Sequence, residues 1–421
     1  MTLRILVDEN IPLAQTCLGS LGVVERVPGR ALDASQLRGV DALLVRSVTR
    51  VDAALLRHSP VRFVGSATSG VDHVDRNYLR RQGIAFAHAP GANANAVVEY
   101  VLAAVAAADD TLERLLAGGR VGIIGYGAIG RALAARLGSL GVAHCVYDPW
   151  LARSGVCHPG SLSQVLDCDV VSVHAQLTRQ PPWPSFHLLG EAELGAMGAA
   201  PLLINASRGA VVDNRALLRA LESGRGPRTV LDVWEAEPGI DPALLGRVLL
   251  GTAHIAGYSL DGKLRATRML AAALAAHLGV PAAATATGAG DCGAAHSDLS
   301  LPPLRLAAGV TGAALLRYLL RARYDIVEDD RLLREATLGM EPAVAAAGFD
   351  RLRRDYRVRR ELAGSVVHGT GVAPQARRLV AALGCELAGV SPAAQAARSR
   401  APSAGKSIAR ATRKPGCGTP P

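Results

Sequence analysis

An apolar, strand-like run, Val121–Ile124, leads without a break into Gly125-Tyr126-Gly127-Ala128-Ile129-Gly130, and a helical pattern, Arg131–Leu140, follows. Few folds accommodate that order. Gly125 suits a tight turn after the strand. Gly127 lets backbone amides approach a pyrophosphate, with Ala128 and Ile129 opening the helix. Gly130 permits close packing of helix on strand, and the helix N-terminus favours an anion. The next strand-like stretch, Val142–Tyr147, ends in Asp148, 18 residues past Gly130. An acid at that place accepts hydrogen bonds from a ribose and repels a 2′-phosphate, so NAD is expected over NADP. A plain glycine-rich turn is the competing explanation; strand, helix and acid together weigh against it.

The surrounding pattern agrees. Strand-like segments at Ile5–Val7, Ala42–Val45, Phe63–Gly65, Val121–Gly125, His144–Tyr147, Val170–His174, Leu202–Asn205 and Val230–Val233 alternate with helical stretches. Such βα alternation predicts parallel sheets covered on both faces. We expect two doubly wound α/β domains: a flavodoxin-like substrate domain (1–94 with 258–282) and a Rossmann NAD domain (95–257). A linker at 283–300, rich in Ala, Gly, Thr and Ser, leads to a small α+β domain (301–388), in which Ala313–Tyr324 and Phe349–Leu362 read as amphipathic helices.

Of the net charge of +10, six basic residues lie between Arg398 and Lys414, and no acid follows Glu386. The stretch 389–421 is expected to be a disordered basic tail; without interleaved aromatics it does not read as a nucleic-acid site. The start, Thr2–Val7, reads as a strand rather than a secretory leader. The most apolar run, Ala96–Ala108, is too short for a membrane span and carries Glu99. Seven scattered cysteines without a Cys-x-x-Cys suggest reduced thiols in a cytoplasm and no metal site.

Three segments follow strand-like runs where open parallel sheets place ligands: Asn205-Ala206-Ser207-Arg208-Gly209, Asp232-Val233-Trp234-Glu235-Ala236-Glu237-Pro238 and His254-Ile255-Ala256-Gly257-Tyr258. Oxidising an alcohol needs a base for the hydroxyl proton, and His254 suits that near neutral pH. Glu237 is placed to orient the imidazole, and Arg208 to grip a carboxylate with two parallel bonds. Asp232 is expected at the nicotinamide end of the cofactor. Taken singly, each has a structural explanation; behind a complete dinucleotide motif they point to an enzyme. The Ser66–Gly70 turn is rich in hydroxyls able to hold an anion, with Arg46 beside Ser47 supplying charge.

On these motifs the chain resembles the D-isomer-specific 2-hydroxyacid dehydrogenases, above all a branch acting on a phosphorylated acid. It shares with that branch Ile5–Pro12, Leu44–Thr49, Val64–Asp75, His254–Lys263 and Tyr324–Asp330. The resemblance runs from the first residues to about Leu387. It implies NAD-dependent oxidation of a small phosphorylated 2-hydroxy acid, in vitamin B6 synthesis, by a homodimer. It places Arg208, Glu237 and His254 in the active site, with His254 as acid/base. It puts Asp148, Ala175, Ser207, Asp232 and Gly257 at the cofactor, and Ser47, Thr68 and Tyr258 at the substrate. His174-Ala175-Gln176-Leu177 lacks the Pro and Thr common in the family. Two alternatives stay open: another 2-hydroxy acid as substrate, or a non-catalytic NAD-sensing scaffold. The run Arg351–Arg360 reads as a solvated helix face that pairs with acids such as Glu361; alternatively, one of its arginines is a candidate to reach a phosphate in a partner subunit.

Overall fold

The computed structural model describes residues 2–151, 160–280, 301–307 and 309–388. The expected linker at 283–300 and basic tail at 389–421 lie outside the described residues. No helix among the described residues is long and apolar enough to cross a membrane.

The first sheet holds β1 (Arg4–Asp8), β2 (Val23–Val27), β3 (Ala42–Val45), β4 (Phe63–Ser66) and β5 (Ala85–His88). Its order is β2-β1-β3-β4-β5, all parallel, which is the flavodoxin-like arrangement. The inner strands β3 and β4 are buried throughout, because helices cover both faces. The return helix Leu260–His277 closes one face, setting Leu270, Ala271 and Leu274 against Ile5, Val7, Leu44 and Phe63.

The second sheet holds β6 (Arg120–Ile124), β7 (Ala143–Tyr147), β8 (Val170–Val173), β9 (Leu202–Asn205), β10 (Arg228–Leu231) and β11 (Leu250–Gly251). Its order is β11-β10-β9-β8-β6-β7, again parallel. The direction of winding switches between β6 and β8. Ligands of such sheets sit at that switch, outside the carboxyl ends of the strands.

The third unit is built on three short parallel strands, β12 (Leu304–Arg305), β13 (Val366–His368) and β14 (Glu386–Leu387). Helices Gly312–Arg321, Ile326–Thr337, Pro342–Arg354 and Pro374–Ala382 pack around them. Leu315, Leu316, Leu319 and Leu320 join Val98, Val101, Leu102 and Val105 of helix Ala94–Ala107 in one core. Each such buried leucine contributes about 1.5–3 kcal/mol. Helix Ala94–Ala107 is buried from Ala96 to Val105, since the second sheet and the third unit share it.

One expected helix is corrected. The pattern at Phe349–Leu362 continues as helix only to Arg354. Residues 355–363 form an irregular arm instead, because its backbone groups find better partners elsewhere. Glu361 N–H donates to Asp261, Leu362 and Ala363 N–H donate to Glu99, and Arg359 C=O accepts from Leu260 N–H.

Candidate active site

The glycine motif forms a cradle. Gly125 turns the chain at φ +93, and a Cβ there would sit 2.6 Å from Ala175 N. A Cβ on Gly130 would lie 2.1 Å from Gly125 O, whereas one on Gly127 would meet nothing within 4 Å. Two glycines are therefore demanded by packing and the third by open space. Helix Ala128–Leu140 starts at Gly127 with no side chain capping it, which leaves its first amides for an anion. Asp148 closes the cradle at the end of β7. Its carboxylate accepts from Tyr126 N–H at 2.8 Å and Trp150 N–H at 3.0 Å. This arrangement fits a dinucleotide's pyrophosphate and adenosine ribose. Beside Ala175, burial pulls the His174 pKa down to about 4, so that ring adds no charge near the cofactor at neutral pH.

Arg208, Glu237 and His254 follow β9, β10 and β11, three neighbouring strands, at their carboxyl ends. His254 Nδ1 lies 2.7 Å from Glu237 Oε2. A carboxylate only accepts, so Nδ1 carries a proton, and in the neutral ring Nε2 keeps the lone pair. Burial pushes the Glu237 carboxyl up. The hydrogen bond and charge of His254, with Trp234 N–H and Arg353, more than offset this and hold it below its ordinary value.

Asp232 follows β10 and is held by several donors of the protein itself. It is 2% exposed, and its oxygens accept from Thr252 Oγ1 at 2.7 Å and from the N–H groups of Ile255 (2.7 Å) and Ala256 (3.0 Å). Its carboxylate holds the His254 loop. Gly257 approaches Asn93, where a Cβ would be 2.2 Å from Nδ2. Ser207 turns its hydroxyl inward to Asn205 Oδ1 at 2.9 Å.

Across the cleft, Arg208 donates through Nε (2.9 Å) and Nη2 (2.7 Å) to Asp72 Oδ2, and its Nη1 reaches Ser207 O. Asp72 belongs to the turn after β4, so this ion pair bridges the first and second sheets. The sequence marks that turn but gives no sign of the part Asp72 plays. Thr68 Oγ1 donates to Gly70 O at 2.7 Å and lies 2.7 Å from Ser66 Oγ, which itself meets His73. Ser47 is exposed in the turn after β3. Arg46 is not a free charge, since Asp8 Oδ1 accepts from its Nε at 2.9 Å. Tyr258 stands edge-on to Tyr356, with ring centroids 5.8 Å apart. Although no metal was expected, His187, Asp213 and Glu235 come close enough to hold one. They are already engaged: Glu235 lies 2.7 Å from His187 Nε2, and both carboxylates accept backbone N–H groups.

A sequence profile described as D-isomer specific 2-hydroxyacid dehydrogenase, NAD binding domain, matches residues 93–256. An erythronate-4-phosphate dehydrogenase of Cellvibrio japonicus is 45% identical over 91% of this chain and 99% of its own length. The chain belongs to the erythronate-4-phosphate dehydrogenases, within the D-isomer-specific 2-hydroxyacid dehydrogenases. An enzyme of the same name from Pseudomonas aeruginosa is 43% identical over 91% of this chain and all of its own. Residues 298–384 match a domain of unknown function. Among solved structures, a Thermus thermophilus protein superposes with TM-score 0.55 at 27% identity, covering 66% of this chain and 98% of its own. A D-lactate dehydrogenase of Treponema pallidum gives 0.53 at 25% identity over 66% of this chain and 98% of its own. The chain is thus an NAD-dependent oxidoreductase.

Proposed function

We propose that this enzyme oxidises the 2-hydroxyl of 4-phospho-D-erythronate to (R)-3-hydroxy-2-oxo-4-phosphooxybutanoate, a step of pyridoxal 5′-phosphate synthesis. The name of its relatives supports the substrate. The observation that carries the chemistry is the 2.7 Å contact between His254 Nδ1 and Glu237 at the carboxyl ends of neighbouring strands.

In this reading Arg208 leaves Asp72 and takes the substrate carboxylate through two parallel bonds. His254 Nε2 accepts the proton of the 2-hydroxyl, and Glu237 stabilises the imidazolium that results. NAD, when bound on the glycine cradle, supplies the hydride acceptor. Ser47, Thr68 and Tyr258 line the substrate end, and Asp148 selects against a 2′-phosphate on the cofactor.

Formation of NADH from 4-phospho-D-erythronate by the purified chain tests the assignment. Turnover confined to 3-phosphoglycerate or short 2-hydroxy acids would move it to another substrate. NAD binding without turnover of any of them would make it a scaffold.

The third unit also supports self-association. Val327, Met340, Val344 and Val358 are exposed there, a large apolar display for a monomer. We expect a homodimer through this unit, which sedimentation at micromolar concentration would reveal. A cytoplasmic place goes with the reduced thiols of Cys145, Cys168 and Cys385.

A further inference from the structure

The wall of the cleft around Tyr258 gathers positive charge without matching acids. Lys263, in the first turn of helix Leu260–His277, sets Nζ 5.4 Å from the Tyr258 ring centroid. Arg353, in the last turn of helix Pro342–Arg354, brings Nη2 to 3.5 Å from the Tyr258 hydroxyl. Its Nε is buried and has no hydrogen-bond partner. Neither cation has a carboxylate within ion-pair distance among the described residues.

The neighbours of Arg353 behave otherwise. Arg354 pairs with Asp355, Arg357 with Asp329, and Arg360 with Asp261, while Arg359 donates to two backbone carbonyls. Of the buried or half-buried arginines in this basic run, Arg353 and Arg359 both lack a carboxylate partner and leave a buried Nε unpaired, but Arg359 places two donors on backbone carbonyls, whereas Arg353 reaches the Tyr258 hydroxyl. Withdrawing a guanidinium from water without an acceptor that matches its charge costs stability, unless a ligand completes it. Arg353 stands at Tyr258, and its charge helps to hold the Glu237 carboxyl down. Lys263 is crowded as well: the protein packed around it, and then Arg46, lower its pKa. Arg353 and Lys263 thus flank Tyr258, one at its hydroxyl and one over its ring, while Arg46, which acts on Lys263, is neutralised by Asp8.

We propose that Arg353 and Lys263, together with the Tyr258 hydroxyl, form the subsite for the substrate's phosphate. The proposal rests on the phosphorylated-acid reading and deepens it. Arg208 takes the carboxylate end of the substrate, His254 the hydroxyl beside it, and the third unit supplies the charge for the other end. A guanidinium suits this task, since it offers paired donors to phosphate oxygens and stays charged at every working pH. Arg353 reaches Tyr258 of its own chain, so the subsite needs no partner subunit to deliver it.

The test uses the full chain with Arg353→Met, Arg353→Lys and Lys263→Met. Steady-state kinetics would be measured with 4-phospho-D-erythronate and with D-erythronate, and calorimetry of inorganic phosphate with the NADH-bound protein. NADH fluorescence would verify that each variant is folded. Arg353→Met should raise KM for the phosphorylated acid by about 10- to 100-fold, the value of a lost charge-assisted bond. The preference over D-erythronate should fall by a similar factor, and inorganic phosphate should bind at least about 10-fold more weakly. Arg353→Lys should recover part of each, and Lys263→Met should shift both in the same direction by less. Equal losses on both acids, or unchanged phosphate affinity, would overturn the subsite. If the wild type turns over neither acid, the functional reading fails separately. Phosphate calorimetry then still decides: affinity lost in Arg353→Met keeps the anion site, and affinity retained removes it.

Discussion

His254 holds a backbone conformation that side chains seldom adopt, with φ +55. Such a residue costs on the order of 1 kcal/mol and persists only where its surroundings fix it. Here they do. Its N–H donates to Asp232 O at 2.7 Å, the Asp232 carboxylate takes the next two amides, and Glu237 holds Nδ1. The imidazole is aimed by backbone as much as by side chain. Glu237→Gln keeps the shape but removes the charge that stabilises the imidazolium. We expect kcat to fall roughly 100-fold while NADH affinity, read by fluorescence, stays near wild type. Because the Glu237 pKa is depressed, the stability it contributes is present above the ordinary carboxylate range. It is lost only as pH falls through that lowered value. An equal loss of NADH affinity and kcat would mean that Glu237 merely supports the fold.

Helix Ala94–Ala107 carries one acid inside an otherwise apolar span. Glu99 is 4% exposed; its Oε1 accepts from Leu362 and Ala363 N–H, and its Oε2 has no partner. Burial pushes its pKa up to about 7, against the pull of Arg359 and the two amides. For a group raised in this way, the stability it lends is full below its unfolded value near 4.5. It drains away as pH climbs through about 7. Glu99→Gln should therefore stabilise the protein at pH 8 by on the order of 2 kcal/mol and flatten the slope between pH 5 and 8. Denaturant melts at the two pH values would show it; an unchanged slope would place the titration elsewhere.

Elements like this one show what can be read from a sequence. The glycine cradle was legible because its constraints are local: a turn at Gly125 and an approach at Gly130. The inner strands were legible because burial on both faces makes them uniformly apolar. Strands β2 and β5 were not. β2 carries Glu25 and Arg26 at a sheet edge, and β5, though apolar at Ala85–Ala87, is short and only half buried. Arg208 was found, but its partner Asp72 lies 136 residues away. Asp232 was placed on its strand end, but its grip on the His254 loop was not foreseen, because sequence does not tell which way a carboxylate turns. Arg353 was hidden among arginines that look alike until their partners are known.

At the scale of the whole chain, the arm 355–363 decides how the units are joined. Arg359 is 3% exposed and lies 3.8 Å from the Tyr324 ring centroid. It donates to Ala96 O at 2.7 Å and Ala256 O at 3.2 Å. Those carbonyls lie near the two places where the chain crosses between the first and second sheets. Glu361 adds a bond from Ser259 Oγ at 2.7 Å and an ion pair with Arg265, and Asp261 pairs with Arg360 at 3.0 Å. Arg359→Met should cost about 2–4 kcal/mol by stranding these carbonyls, measured by chemical denaturation. It should also loosen both crossings together in hydrogen exchange. Protection lost at only one of them would separate the two.

A single guanidinium that clasps both strands of a joint acts as its axle pin. The jaws of the cleft then cannot swing without turning the shaft that carries the third unit. Any partner gripping that unit would have a hand on the opening of the cleft.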